Sequence, residues 1–343
     1  MRKITIVDVA NKAGVSKGTV SAVINAKNSV KPATRDLILS IMKELNFRPQ
    51  GIARKLKNGD VDKTIGLVIK DLSYPFYTSI AYGVKSYANS LGYSVIITSS
   101  ENNHESEVKF SHLFSTKDIK GTIIAPVVEG SSEIEHLFKL KMINYPFVLL
   151  EDVKGIQANV VAIDNLKAIK NAVKYLIDSG HTKIVHFAGP LQSSHTLERV
   201  EGFRHAFSER TLAFNKEMIV NIGSKHDESF LKTKEYFKSL KRKDYPTAIV
   251  CFNDQQALGV MMALMELSVK IPEDISIVGN DDIFYSKMYP VPLTTIKAPL
   301  HEIGVKAAEI LIRNIEAHEI LPIERVELKT ELIIRQSTKV LNK

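Results

Sequence analysis

The chain has 343 residues, 44 % of them hydrophobic, and a mean hydropathy close to zero. It is too long for one ordinary domain and apolar enough for two or three cores. No uncharged apolar run reaches membrane-spanning length, and the opening MRKITIVDVANK breaks into Asp8, Asn11 and Lys12 before a signal-like stretch develops. A membrane protein and an exported one are therefore disfavoured, and a cytoplasmic location is expected. The single cysteine, Cys251, excludes an intramolecular disulfide and a multi-cysteine metal site; within the apolar run AIVCF it reads as a buried, inert thiol.

The formal charge of +8 is unevenly placed. Residues 1–63 hold 13 Lys and Arg against 5 Asp and Glu, whereas the remainder holds 33 of each sign. The entire excess thus lies in the first fifth of the chain, the pattern of a polyanion-binding module on a neutral body.

Thr5-Ile6-Val7-Asp8 reads as a capping box that starts a short helix, with Ile6, Val9, Ala10 and Ala13 at helical spacing. Gly14 suits the positive φ that ends it, and Ser16 can cap a second helix from Lys17 to about Asn25 that buries Val20, Val23 and Ile24. A third helix is expected from Pro32 to about Leu45, with Leu37, Ile38, Ile41, Met42 and Leu45 inward. Helix, tight turn with glycine and short second helix form a helix-turn-helix. In that motif the start of the second helix enters the major groove of DNA. Here it offers Lys17, Gly18, Thr19 and Ser21, with Ala22 one turn on. A generic small helical bundle is the plainer alternative.

TIVDVANKAGVSKGTVSAVIN followed by VKPATRDLILSIMKELNFRPQGIARKLKNG resembles the LacI/GalR family of bacterial transcriptional regulators, most of them repressors. The likeness includes a downstream hinge in which Pro49, Ala53, Arg54 and Leu56 stand in the family's pattern. It implies a DNA-binding set of Thr5, Ser16, Lys17, Gly18, Thr19, Ser21, Ala22, Asn25, Ala53 and Leu56, and double-stranded operator DNA as partner. The hinge would become a helix when two subunits of a homodimer pair over the operator. Leu56 would then wedge into a base step through the minor groove. Three departures stand out. Ala22 occupies a place where the family usually carries Arg, Gln50 and Gly51 replace commoner hinge residues, and Lys31 sits where a Ser-type cap is expected.

From Lys63 the pattern alternates. Strand runs are expected at 64–69, 93–99, 121–126, 146–151, 160–163, 183–189, 247–252 and 275–279, and helices at 77–91, 165–179, 196–209, 255–268 and 301–316. This is an α/β body of two doubly wound sheets. The resemblance implies the same: a two-lobed, periplasmic-binding-protein-like domain. The domains expected are 1–48, a hinge at 49–62, and a body at 63–343 with one lobe at 64–163 plus 292–321 and another at 164–291 plus 322–343. Ligands in such sheets sit beyond the carboxyl ends of strands. The effector set implied is Lys70, Asp71, Phe76, Tyr77, Arg199, Lys225, Asn253 and Asp281. Against this, Asp254 and Asp282 could cap helices, Phe76 and Tyr77 could be core, and Arg199 could lie on a solvated helix face. Lys70, Arg199 and Lys225 would place three cations around the cleft and suit a carboxylate or phosphate, such as a sugar acid or sugar phosphate; a neutral sugar with both lysines in solvent is the rival.

No cofactor, no metal and no membrane partner are expected. No glycine-rich phosphate fingerprint follows a strand, and the Asp281/Asp282 pair lacks the companions of a catalytic site. A regulator that senses a phosphorylated partner protein and, further off, a sugar-modifying enzyme are the alternatives.

Overall fold

The computed structural model describes residues 5–24, 30–45, 47, 63–127, 134–191 and 193–341. Asn25 and the hinge residues Pro49, Gln50, Gly51, Ala53, Arg54 and Leu56 lie outside them. The chain divides into two compact units, Met1–Lys63 and Thr64–Lys343.

In the first unit, α1 (Ile6–Ala13), α2 (Lys17–Ile24) and α3 (Pro32–Glu44) fall where the periodicity places them. The Asp8 carboxylate accepts the Thr5 amide and hydroxyl, both at 2.7 Å, which fixes the start of α1. Gly14 ends it in the left-handed region at φ 65°, a conformation with a steric cost for any side chain. The Ser16 hydroxyl accepts the Thr19 amide at 3.0 Å and so opens α2. Val9, Ala10, Val20, Val23, Ile38 and Ile41 close the core. Leu37, expected inward, is instead 48 % exposed, because the stripe facing α1 and α2 runs through Ile38 and Ile41 and turns its neighbour out.

Among the described residues, the second unit holds two six-stranded sheets. Sheet one is ordered β11 (Arg325–Leu328), β5 (Asn159–Ile163), β4 (Phe147–Leu149), β3 (Thr122–Ile124), β1 (Thr64–Ile69), β2 (Ser94–Ser99). Sheet two is ordered β12 (Glu331–Ile333), β10 (Thr294–Lys297), β9 (Ser276–Asp281), β8 (Ala248–Cys251), β6 (Ile184–Ala188), β7 (Ile219–Asn221). Every pairing is parallel except β10 with β12. The lobe boundaries expected from sequence need two corrections. Thr294–Lys297 pairs with β9 and belongs to the second lobe, and Arg325–Leu328 pairs with β5 and belongs to the first. Strands of four residues carry too little pattern to name their partner, so non-local hydrogen bonds decide it.

Helices cover both sheets. Around sheet one lie α4 (Pro75–Ser90), α5 (His104–Thr116), α6 (Glu135–Met142) and α11 (Leu300–Glu316). Around sheet two lie α7 (Asn165–Asp178), α8 (Ser194–Glu209), α9 (His226–Lys238) and α10 (Asp254–Glu266). The crossing of α4 on α11 depends on glycine: a Cβ at Gly83 would overlap the His301 carbonyl oxygen, and one at Gly304 that of Ile80. Interlocked in this way, the helices bury Ile80, Val84, Ile303, Ala307 and Leu311 over the strands.

Candidate functional site

Two surfaces carry the chemistry, one in each unit. In the first, Ser16, Gly18, Thr19 and Ala22 line an open recess together with Val30, Lys31 and Thr34 at the start of α3. Lys17 is exposed beside it, and Thr19, Ser21 and Ala22 are half-buried. The Ser16 and Thr19 hydroxyls lie 2.9 Å apart, so part of their hydrogen-bonding capacity is spent on the helix start. Ala22 gives the middle of this face a methyl group where a guanidinium would read guanine. Thr5 stands at the start of α1, engaged with Asp8.

The second surface lies between the lobes. Phe76, Tyr77, Ile80, Ala125, Leu150, Glu151, Ala162, Ile163 and Ile303 come from the first lobe, and Asn165, His195 and Arg199 from the second. They enclose about 20 Å³, room for roughly one water, so the lobes are closed on each other. The turn after β1 builds one wall. Asp71 accepts the Ser73 amide at 2.8 Å and its hydroxyl at 2.6 Å, and this turn presents Tyr74, Phe76 and Tyr77 as an aromatic cluster. Asp71 thus shapes the wall rather than lining the cavity.

Arg199 is only 3 % exposed, which removes the solvated-face reading. Its Nε donates to Asn165 Oδ1 at 3.1 Å, Nη1 donates to the Phe252 carbonyl, and the guanidinium sits 4.5 Å from the Phe252 ring centroid. Nη2 lies 4.0 Å from the Asp281 carboxylate. Asp281 ends β9 at φ 118°, a strained value for a non-glycine residue. It also accepts the Tyr74 hydroxyl from the opposite lobe and the Asn280 side-chain Nδ2–H at 2.6 Å. Burial pushes its pKa up to about 6, against the opposing pull of Arg199 and these donors. Asp254 is buried beneath it, accepting the Thr295 hydroxyl at 2.5 Å and the Ile283 amide at 2.9 Å. Its carboxyl is raised by burial and by the Asp281 charge. The cap of α10 is Asn253, not Asp254: its side chain accepts the Gln256 amide at 2.7 Å. Asp282 pairs with Arg335 at 2.7 Å.

Lys70 forms an ion pair with Glu151, a residue the sequence reading did not single out. Burial opposes ionisation of Glu151, but His195 and Lys70 outweigh it and hold the carboxyl well below the usual range. The other Glu151 oxygen accepts Ser194 Oγ at 2.9 Å and His195 Nε2 at 2.8 Å. The signal for Glu151 was present in the run PFVLLE, a charge at the carboxyl end of an apolar strand. Nothing local marked Tyr74, Asn165, Ser194 or His195. Lys225 is exposed at the residue before α9 and does not line the cavity, so the expected trio of cations is not assembled: Lys70 and Arg199 are both partnered, and Lys225 stands apart.

A helix-turn-helix unit joined to a closed two-lobed cleft defines a ligand-responsive DNA-binding regulator. The comparisons with known proteins agree. Residues 5–50 match the lacI family of bacterial regulatory proteins, and residues 173–338 match a periplasmic binding protein-like domain. The chain is 34 % identical over 340 residues, 98 % of its length and 99 % of the relative's, to the HTH-type transcriptional repressor PurR of Vibrio vulnificus. A transcriptional regulator CelR–cellobiose complex superposes with a TM-score of 0.71 at 26 % identity, covering 97 % of this chain and 99 % of that one. The lac repressor dimer bound to operator and the anti-inducer ONPF gives 0.72 at 26 %, covering 98 % and 100 %. The chain belongs to the lacI family of bacterial regulatory proteins. It is a DNA-binding transcriptional regulator with an effector-binding domain.

Proposed function

We propose that the chain represses transcription as a cytoplasmic homodimer and that its effector is a small neutral molecule rich in hydrogen-bond donors. The observation that carries the effector class is the charge balance of the cleft. Lys70 is neutralised by Glu151, and Arg199 is spent on Asn165, Phe252 and Asp281. An anionic ligand would meet the Glu151 carboxylate with no uncommitted cation among the cavity's described residues. A sugar or a similar ring fits better, its donors facing Glu151 and its apolar face against Phe76 and Tyr77. The CelR complex holds a neutral sugar of this kind. Asp281 and Asp254 are engaged by structural partners, with no paired nucleophile among the described residues, and this engagement favours recognition over catalysis.

On the DNA side, Lys17, Gly18, Thr19, Ser21 and Ala22 face the major groove, while Thr5 and Ser16 fix the ends of their helices. In the hinge, Leu56 is the wedge into the minor groove, and Ala53 belongs to the same DNA-binding set. Exposed apolar side chains, Tyr82, Ile96 and Ile97 on the first lobe and Phe284, Tyr285 and Met288 on the second, offer surface for a second copy. Effector binding acts through its different affinities for the operator-competent and incompetent arrangements of the lobes.

Selecting genomic fragments with the purified chain tests the regulator, and the neighbouring genes name the pathway. Calorimetric titration against matched neutral and phosphorylated sugars from that pathway tests the effector class. Tighter binding of the phosphorylated member overturns the neutral reading.

A further inference from the structure

We infer that the outer face of α6, on the first lobe, docks a short acidic amphipathic helix of a second protein, a contact beyond those with operator and effector. α6 buries His136, Leu137 and Leu140 against its sheet. With about 3.6 residues per turn, the face turned away from them runs through Phe138 and Met142, where a surface helix ordinarily sets polar residues. Phe138 is instead 42 % exposed and Met142 81 %, and Ile143, the residue after the helix, is 61 % exposed. Ile143 does not hang on a loose loop. Its amide donates to the Lys139 carbonyl at 3.2 Å, and the Asn144 and Tyr145 amides donate to the Lys141 and Leu140 carbonyls at 3.0 and 2.9 Å. These bonds close the helix end and hold the apolar side chains outward. α5, packed beside α6, adds Leu113, also exposed.

Charge selects the occupant. Lys139 and Lys141 flank the apolar line, and no acidic residue stands between Glu135 and Glu151 in the sequence. Lysines suit the negative end of a helix, but that does not account for the apolar stripe between them. Lys139 pairs with Glu135 at 2.8 Å, with both side chains mostly in solvent, so a competing carboxylate exchanges with Glu135 at little cost. Lys141 donates to the Gln157 carbonyl at 2.8 Å and keeps its whole charge for a partner. An apolar centre with a cationic rim is complementary to a helix that carries apolar residues at i, i+4 and i+7 and carboxylates beside them. A second copy of this chain is a poor match, because a two-fold pairing of this face sets its lysines against their own copies. Three or four side chains also cover far less than a stable dimer buries, which suits a transient contact, and Met142 adapts to different apolar partners.

Photo-crosslinking from the full chain in the bacterium that produces it tests this. Met142→benzoylphenylalanine places the reactive ketone on the exposed stripe, and Ile143→benzoylphenylalanine repeats the test from the adjoining position. After irradiation, mass spectrometry reads the sequence of the joined peptide. The expected product is a segment of another protein with net negative charge and apolar residues at helical spacing. Adding Lys139→Glu/Lys141→Glu, which leaves the buried side of α6 intact, should lower the yield by about tenfold or more. Operator binding and melting of the purified charge-reversed chain should match wild type, which separates loss of the contact from loss of the fold and from failure of the regulator reading. Joining to a second copy, to another segment of the same chain, to DNA or to lipid overturns the inference. So does a joined segment without acidic residues, no joining from either position, or an equal yield after charge reversal.

Discussion

Replacing Arg199 by methionine keeps the stem and roughly the volume of the side chain and removes the guanidinium. Three partners lose a donor or counter-charge: Asn165, the Phe252 carbonyl and Asp281. Each lost hydrogen bond costs on the order of 1 kcal/mol, and the cation over the Phe252 ring adds a comparable amount. Asp281 contributes through its proton. Its folded pKa of about 6 lies above the unfolded carboxylate range, so the folded state binds more protons and stability falls as pH rises from about 4 to about 6. Without Arg199 the pKa climbs further, which at pH 7 costs up to about 1.4 kcal/mol, reached once the carboxyl stays protonated there. The sum is about 3–5 kcal/mol at neutral pH, the range found when one member of a buried charge pair is removed. At pH 5 the carboxyl is mostly protonated in both proteins, so the loss shrinks by on the order of 1 kcal/mol. Calorimetric melting of the full chain should show the cleft-bearing transition lowered by on the order of 10 °C at pH 7, and by less at pH 5. A drop of a degree or two, or equal drops at both pH values, would refute the claim that Arg199 and Asp281 sustain each other.

Gly202→Ala drives a methyl group into the Leu166 carbonyl where α8 crosses α7 and should lower stability by about 1–3 kcal/mol, read by urea unfolding; a neutral result would mean the helices part freely. Ala22→Arg should move the base preference in selected fragments toward guanine at one pair of each half-site, by about 1–3 kcal/mol of discrimination, and unchanged preferences would take α2 out of the major groove. Leu56→Ala should weaken operator binding at matched salt while leaving effector titrations as they were; equal operator affinity counts against the wedge.

Local chemistry settled much of the molecule before any fold was known. Thr5, Gly14 and Ser16 set the helix ends of the first unit, because caps and left-handed turns act over three or four residues. The charge division marked the polyanion-binding unit, and apolar runs at alternating spacing placed β1, β6, β8 and their helices. Arg199, Asp281, Phe76 and Tyr77 came forward by resemblance.

What the sequence left open needed contacts between distant residues. Thr294–Lys297 and Arg325–Leu328 found their sheets only through pairing with β9 and β5. Leu37 turned outward because the stripe beside it met the other helices. Above all, the cleft's charge state was not legible: Lys70 and Glu151 stand 81 positions apart, and Tyr74 and Asp281 stand 207 apart. A run of residues gives the type of each charge, but whether that charge is free to hold a ligand depends on which partner the folded chain sets against it. Here tertiary structure spent Lys70 and Arg199 on partners within the protein and set Lys225 apart from the cavity.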